Sequence, residues 1–359
     1  MTAVRVGFAG VGHWATTAHL PAVAAHPKGL IAAIADPNEV NLRRARETHG
    51  IEACFSDPHK MLAEVPLDAL ILAAPHAHHY AIAKDAVDRG LNVLVEKPLV
   101  IDPEDGRKLL AAAEAAGVEL LVGYTWHYNR QVLTARQWLH QGRIGDINYV
   151  HSFFGSSVLN LYRGKPEDYS EDVYGSGDAF HAPLPSTYSD PSLAGGGQAQ
   201  TQLTHSMALL LFLTDLRLER VSAFMENHGT EVDVVDALAM RFSGGALGAV
   251  GTTGAVTPLE HTNTLEYIVH GTKGHIHFDV MGGSLRLYTD AGLQEEPVLP
   301  EEDRYPLAAP ANNLIDVSLG SAENGSPAEV GQHTVEAIDA ANRSAQNNGA
   351  PVDLEDGRV

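Results

Sequence analysis

The chain has 359 residues, too many for one ordinary hydrophobic core, which predicts two domains of about 100–200 residues each. A content of 44% hydrophobic and 19% charged residues is typical of a folded globular protein and excludes disordered and fibrous classes. The 24 basic residues face 45 acidic ones, a formal net charge of −21, so we expect no nucleic-acid partner and no anionic membrane surface.

Cysteine usage and apolar run length indicate where the protein works. Cys54 is the single cysteine, which excludes an internal disulfide framework and fits a reducing compartment. The first residues form a strand pattern without the basic and apolar regions of a signal peptide, and the apolar run 207–213 is too short to span a bilayer. We therefore expect a cytoplasmic protein.

The first third of the chain alternates short apolar runs with amphipathic stretches. Strands are predicted at residues 4–9, 30–35, 69–73, 92–95 and 119–123, and helices at residues 14–25, 39–49, 80–89 and 103–116. Continuous Val, Ile, Leu and Ala character in the strands is typical of a parallel sheet covered on both faces. Residues 1–123 are thus predicted to form a doubly wound α/β domain that binds a dinucleotide.

The pattern changes in residues 124–359. After a helix at 131–141, strands with period-two alternation are predicted at residues 147–154, 218–225, 232–242, 246–253, 264–270, 275–280 and 284–288. This predicts an α+β domain with an antiparallel sheet, closed by a helix at 330–345. The stretch 155–195, rich in Ser, Tyr, Pro, Asp and Gly, is predicted to be a long loop that covers the substrate.

A glycine-rich turn follows the first strand. Gly10, Gly12 and Ala15 give the G-x-G-x-x-[GA] spacing between a strand and a helix, with His13 and Trp14 inside the turn. Gly10 allows the tight turn, Gly12 lets the backbone approach a pyrophosphate, and Ala15 permits close helix packing. The alternative is a glycine-rich turn without a ligand.

Asp36 ends the second predicted strand, 24 residues after Gly12, near the position of the acid that accepts from a ribose hydroxyl. It favours NAD over NADP. The alternative is that Asp36 caps the helix after Pro37 and that arginines downstream receive a phosphate, namely Arg43, Arg44 and Arg46.

Lys97 follows the strand at 92–95, at the sheet edge where ligands bind in open parallel sheets. Pro98 restricts the backbone of Lys97 and favours a directed ammonium group over a mobile one. The alternative is a surface ion pair between Lys97 and Glu96.

These motifs together resemble the glucose–fructose oxidoreductase, inositol dehydrogenase and rhizopine catabolism (Gfo/Idh/MocA) family over essentially the whole chain. The matching residues are the Gly10–Ala15 turn, Pro75-x-x-x-His79, Glu96-Lys97-Pro98, Gly195-Gly196-Gly197, His205 and Gly271-Thr272-Lys273-Gly274. The resemblance implies a Rossmann domain, an open and mostly antiparallel sheet domain, and NAD(P)-dependent oxidation of sugars, their derivatives or cyclitols. It also implies association through the outer face of the second sheet, as a homodimer or homotetramer.

The resemblance also implies roles for single residues. Lys97 matches the lysine that hydrogen-bonds the reacting hydroxyl, and His205 matches the histidine that accepts its proton. Thr201 stands where relatives usually carry an aspartate, so we expect His205 to be a weaker base, with Gln202 contacting sugar hydroxyls instead.

Further candidates come from the same comparison. Cofactor contacts are assigned to Pro75, His76, His79, Glu96 and Lys97, and substrate contacts to Tyr124, Trp126, His127, Tyr128, Arg163, Thr201, Gln202 and His205. The long loop also holds Tyr162, Tyr169, Tyr174 and His181. No metal is expected, because the histidines at 76, 78 and 79 lack a carboxylate or cysteine at ligand spacing.

We therefore expect an enzyme that oxidises a secondary ring hydroxyl of a sugar, glycoside or cyclitol by hydride transfer to NAD, with NADP less favoured. One alternative is an NAD-dependent glycosidase that oxidises, eliminates, adds water and reduces again. Another is a sugar- and NAD-sensing regulator without catalysis, against which the presence of both Lys97 and His205 argues.

Overall fold

The computed structural model describes residues 3–166, 183–257 and 263–354, which form two compact units. Among the described residues, the first unit contains 3–125, 183–187 and 307–332, and the second contains 126–166, 188–257, 263–306 and 333–354.

Fifteen strands occur in the described part of the chain. They are β1 (Val4–Ala9), β2 (Gly29–Ala35), β3 (Cys54–Phe55), β4 (Ala69–Leu72), β5 (Asn92–Val95), β6 (Leu120–Val122), β7 (Ile147–Gly155), β8 (Leu218–Glu226), β9 (Val235–Phe242), β10 (Leu247–Thr253), β11 (Thr264–Gly271), β12 (Gly274–Asp279), β13 (Ser284–Thr289), β14 (Gly292–Glu295) and β15 (Val352–Asp353).

The α-helices of the described residues are α1 (Leu20–Ala25), α2 (Glu39–His49), α3 (Pro58–Glu64), α4 (His79–Asp88), α5 (Pro103–Ala116), α6 (Arg130–His140), α7 (Leu159–Tyr162), α8 (Ser186–Ser189), α9 (Pro191–Ala194), α10 (Thr204–Thr214), α11 (Glu301–Arg304), α12 (Ala309–Ser318) and α13 (Ala328–Gln346). Two π-helical segments, Ala15–His19 and Ala199–Leu203, lead directly into α1 and α10. None of the described helices has both the length and the apolar character needed to cross a bilayer.

The first unit contains a six-stranded sheet in the order β3-β2-β1-β4-β5-β6. Every pair of neighbouring strands is parallel, which confirms the predicted doubly wound domain. The chain order reverses between β1 and β4, and ligands bind beyond the carboxyl ends of the strands at such a point.

Helix α12 belongs to the first unit, although residues 124–359 were predicted to form the second domain. Its side chains Ala311, Leu314 and Ile315 are buried in one core cluster with Val6 and Phe8 of β1. Burial of these side chains removes their apolar surface from water, which is why the segment belongs with the first unit despite its distance in sequence.

The second unit contains a nine-stranded sheet in the order β14-β13-β12-β11-β7-β10-β9-β8-β15. Only β7 and β10 pair in parallel, so the expected mostly antiparallel sheet is confirmed. Along β9 the buried and exposed residues alternate strictly, as expected for a sheet with one covered face.

Helix α10 was not predicted. Ten of its eleven residues are buried, so its apolar residues do not recur on one face. A helix that is buried on every side gives no periodic signal in the sequence.

Candidate functional site

The turn after β1 can accept a dinucleotide. Gly10 has φ 89°, and a Cβ at this position would collide with the carbonyl oxygen of Ala73. A Cβ at Gly12 would meet no atom within 4 Å, so the backbone there faces open space. The first glycine is thus required by the fold and the second leaves room for a pyrophosphate.

The segment after this turn is fixed by Glu96. Its Oε1 accepts hydrogen bonds from Nε1 of Trp14 at 2.8 Å and from Nε2 of His19 at 2.7 Å. The π-helical segment between these two residues places side chains five positions apart on the same side. A Cβ at Gly123 would collide with the Glu96 carboxylate, so this strand end is closely packed as well.

Asp36 lies at the end of β2 and contacts the glycine turn. Its Oδ2 accepts from the backbone N–H of Val11 at 2.9 Å, and its Oδ1 accepts from that of Asn38 at 2.8 Å. Helix α2 is capped by Asn38, whose side chain accepts from Val40 N. The alternative reading of Asp36 as the helix cap is therefore wrong.

Lys97 is the second residue after β5, and the Lys97–Pro98 peptide bond is cis. The side chain is partly buried, and burial lowers the pKa of Lys97, opposed by the negative charge of Glu96. A lysine of this kind can donate a hydrogen bond and give up a proton more readily than an exposed one.

His79 is fully buried at the start of α4. Its Nδ1 lies 2.8 Å from the carbonyl oxygen of Pro98, and its Nε2 lies 2.9 Å from that of Ala74. Burial lowers the pKa of His79, while both carbonyls raise it. His79 thus lies between the carbonyl group of Pro98, which follows β5, and that of Ala74, which follows β4. The centroid of its ring is 5.6 Å from that of His76.

In the second unit, His205 lies beside aromatic rings near the start of α10. The ring of Trp126 meets it edge-on at 5.3 Å, and that of Phe154 does so at 6.4 Å. Trp126 also contacts Tyr305, with ring centroids 4.9 Å apart. Neither Phe154 nor Tyr305 carried a sequence motif, because this cluster is assembled from β7 and from the segment after α11.

Thr201 is part of a buried hydrogen-bond network. Its hydroxyl donates to the carbonyl oxygen of Gly197 at 2.8 Å and hydrogen-bonds the hydroxyl of Tyr162. The Tyr162 hydroxyl also lies 2.9 Å from Oε1 of Gln198 and shares its single proton between these two neighbours, and Nε2 of Gln198 donates to Thr252. Thr201 therefore contributes to the hydrogen-bond network that holds the π-helical segment before α10.

The remaining substrate candidates differ in their surroundings. The ring of His127 is stacked on Phe212 at 4.1 Å, and burial with the charge of Arg136 lowers the pKa of His127 to about 3. Tyr124 and Gln202 are buried, Tyr128 is partly buried, and Arg163 is exposed at the end of α7. Their substrate contacts stay predictions, and Tyr169, Tyr174 and His181 lie outside the described residues.

Across residues 3–166, 183–257 and 263–354, no group of three or more His, Cys, Asp or Glu side chains is arranged to hold a metal ion.

Within the first unit the glycine turn, Asp36, Glu96 and Lys97 all follow carboxyl ends of β1, β2 and β5. Within the second unit Trp126 and His205 lie together. The link from His19 to Glu96 was missed, since only the π-helical turn aligns His19 with Trp14.

Two models of one protein family match the chain. The NAD-binding Rossmann fold of the oxidoreductase family matches residues 4–124, and the GFO/IDH/MocA C-terminal domain matches residues 132–277. The chain belongs to the Gfo/Idh/MocA oxidoreductase family. Its first unit is an NAD-binding Rossmann domain, with which the open space at Gly12 and the position of Asp36 agree.

Several curated proteins are similar in sequence to parts of this chain. Myo-inositol 2-dehydrogenase of Thermotoga maritima is 24% identical over 293 residues, which are 80% of this chain and 78% of the relative. Inositol 2-dehydrogenase 4 of Saccharopolyspora erythraea is 33% identical over 153 residues, which are 41% and 44% of the two chains. The chain spans 50%, 43% and 44% of the length of the first three curated relatives it matches.

Solved structures are similar over the whole chain. An oxidoreductase domain protein from Kribbella flavida is 21% identical with a TM-score of 0.82, covering 99% of this chain and all of that one. Levoglucosan dehydrogenase in complex with NADH and levoglucosan is 20% identical with a TM-score of 0.80, over 99% and 100% of the two chains. At these identities the likeness shows the fold.

The variants Gly10→Ala and Gly12→Ala distinguish the contribution of the glycine turn to folding stability from its contribution to NAD binding. We expect Gly10→Ala to lower stability by about 1 kcal/mol or more, because its φ is positive and its Cβ collides with Ala73. Gly12→Ala should keep the wild-type unfolding midpoint and weaken NAD binding at least about tenfold, since the methyl group occupies the space facing the pyrophosphate. Urea unfolding and NAD titration measure both effects. Equal NAD affinity in Gly12→Ala and the wild type would contradict this placement of the pyrophosphate.

Proposed function

We propose that this chain is an NAD-dependent dehydrogenase that oxidises a secondary ring hydroxyl of a sugar, glycoside or cyclitol. The observation that carries the proposal is Lys97, a partly buried lysine with a lowered pKa at the carboxyl end of β5 in an NAD-binding domain. Relatives named as inositol dehydrogenases, and a solved relative with levoglucosan, support this class of substrate.

The proposed reaction assigns different tasks to the two candidate catalytic residues. When bound, NAD accepts the hydride from the carbon that carries the hydroxyl. Lys97 donates a hydrogen bond to the hydroxyl oxygen and stabilises the negative charge that develops as its proton leaves. His205 accepts that proton, with its ring held by Trp126 and Phe154.

We propose that Asp36 gives this domain a preference for NAD over NADP. Its carboxylate receives two backbone N–H groups and keeps lone pairs that can accept from the hydroxyls of the adenosine ribose. A phosphate at the same position would meet a carboxylate of like charge.

The free thiol of Cys54 is compatible with the reducing cytoplasm in which we propose the enzyme works.

A panel of sugars, glycosides and cyclitols tests the proposed reaction. With NAD present, we expect NADH to accumulate in proportion to oxidised product for at least one cyclitol or sugar, because no later step consumes the hydride. The readouts are NADH absorbance and, for aryl glycosides, the released aglycone. Aglycone release without NADH would replace the dehydrogenase by the redox glycosidase, and tight sugar and NAD binding without either product would indicate a regulator.

Lys97→Met and His205→Ala test the two assigned tasks. Lys97→Met should abolish turnover and leave NAD affinity within a few-fold, because the charge acts mainly in the transition state. His205→Ala should cost less than the ~10²–10⁴-fold typical of a general base, because Thr201 replaces the carboxylate that would stabilise an imidazolium. Steady-state kinetics and NAD titration provide the numbers.

Lys108→Met is the matched control, since Lys108 is an exposed lysine on α5 in the same unit. It should retain wild-type turnover. The roles are assigned the wrong way round if Lys97→Met loses NAD binding while His205→Ala is completely inactive.

We also propose that the protein forms a homodimer or homotetramer through the outer face of the second sheet. Phe224, Ala237, Gly251 and Phe153 are consecutive cross-strand partners on that face, and Phe224 is 65% exposed. An apolar row of this kind on a sheet face calls for a partner, and isologous contact of one face with itself gives closed symmetry.

Sedimentation at micromolar concentration tests the assembly. We expect a mass of two or four chains for the wild type, and a shift to the monomer in Phe224→Asp, which places a charge in the apolar row. Lys108→Met, at an exposed position on α5 and outside the second sheet, should leave the mass unchanged. A wild-type protein that sediments as a strict monomer would contradict the proposal.

A further inference from the structure

The second unit contains a buried pair of acidic residues outside the assigned site. Asp236 lies on the covered face of β9, at a position in line with the core residues Leu238 and Met240, and is 2% exposed. Among the described residues its two carboxyl oxygens meet no hydrogen-bond donor. Asp233, three residues earlier, supplies a carboxyl group to which a protonated Asp236 can donate. Two ionised carboxylates cannot hydrogen-bond each other, so a hydrogen bond between them requires a proton.

The other member of the pair is well supplied with donors. Oδ1 of Asp233 accepts from Gly197 N at 2.7 Å, and Oδ2 accepts from Ala199 N at 2.6 Å. The backbone carbonyl of Asp233 also accepts from Gln198 N at 2.9 Å. Three consecutive backbone N–H groups are thus bound by one residue, immediately before the π-helical segment that leads to His205.

The close approach of these two segments depends on glycine. A Cβ at Gly197 would collide with the backbone carbonyl of Asp233, so another residue here would push the turn away from its acceptor. The Asp233 contacts therefore explain the need for glycine at this position of the Gly195-Gly196-Gly197 motif.

We infer that Asp236 is a neutral carboxylic acid that donates its proton to the Asp233 carboxylate, and that this proton-sharing pair positions the turn 197–199 ahead of α10. Asp233 is the acceptor because its two carboxyl oxygens already bind backbone N–H groups, and Asp236 is the donor because no hydrogen-bond donor compensates a charge there. Asp236 is a positioning residue and acts only through Asp233.

The surroundings of the pair contain no opposing charge in the described part of the chain. The cross-strand partners of Asp236 are Met225 and Thr252, neither of which titrates. The nearby titratable groups are the phenol of Tyr162 and, next to it, that of Tyr188. Burial first, and the charge of Asp233 second, raise the pKa of Asp236 well above its usual range.

The sign of the resulting pH dependence follows from this raised pKa. A carboxyl group that is protonated in the native state and ionised in the unfolded state binds one more proton when folded. Its stabilising contribution is complete below the unfolded pKa of ~3.9 and is lost as the pH rises through the native pKa. The folding equilibrium constant should therefore fall about tenfold per pH unit within that window.

Asp236→Asn is the decisive variant, because its amide donates permanently to Asp233 and cannot ionise. We expect the ratio of wild-type to Asp236→Asn folding constants to fall about tenfold per pH unit from about pH 5 upward, until the native pKa is passed. Urea unfolding at a series of pH values measures the ratio. A ratio that stays constant from about pH 5 to about pH 9 would overturn the inference.

Two matched Asp→Asn variants serve as controls. Asp233→Asn replaces one of the two oxygens that accept from the turn by an NH2 group, and it should destabilise at least about tenfold at pH values where Asp236→Asn is neutral or stabilising. Asp290→Asn, at an exposed turn, should give a constant ratio above about pH 5. Equal destabilisation by Asp233→Asn and Asp236→Asn at every pH would mean that the pair shares no proton.

Two measurements do not depend on the stability of a variant. The infrared spectrum of the wild type at about pH 6, where exposed carboxyls are ionised, should still contain the C=O stretch of a protonated carboxyl group. Hydrogen exchange of the segment 197–203 should increase with pH more steeply in the wild type than in Asp236→Asn. Absence of the infrared band would overturn the inference, whatever the outcome of the substrate assays.

Discussion

The hydrogen bonds to the Glu96 carboxylate are the interaction on which the ligand-binding edge of the first unit depends. One oxygen accepts from Trp14 and from His19, so the segment after the glycine turn is fixed to the end of β5. Gly123, after β6, packs against the same carboxylate. Because one buried group joins three strand ends, the positions of the glycine turn and of Lys97 are coupled. Glu96 thus positions the glycine turn relative to the ends of β5 and β6.

A different solution orders the corresponding segment of the second unit. There the turn before α10 is held by the Asp233 carboxylate, and Thr201 hydrogen-bonds Tyr162 within the same buried network. The Thr201 side chain is therefore accommodated by hydrogen bonds to neighbouring buried groups. The consequence for chemistry falls on His205, which has aromatic neighbours in Trp126 and Phe154.

Much of the fold could be predicted because local patterns decide it. Parallel strands that are buried on both faces read as continuous apolar runs, and one-face-buried strands alternate, so both sheets and their classes were identified. The glycine turn was equally local, since Gly10 must adopt a positive φ wherever that turn forms. The failures were segments without periodicity: α10 is apolar on all sides, and the short β3 is two residues long.

The sequence by itself determined the family, the cofactor domain and the identity of Lys97 and His205 as candidates, because spacing within a strand–turn–helix unit is a local property. Only the tertiary structure decided which groups become partners. It joined His19 to Glu96, gave the cap of α2 to Asn38 instead of Asp36, and buried the Asp236 carboxyl group without a hydrogen-bond donor. Hydrogen-bond partners and desolvation depend on residues distant in sequence, so the protonation and positioning of a site are fixed only when the chain has folded.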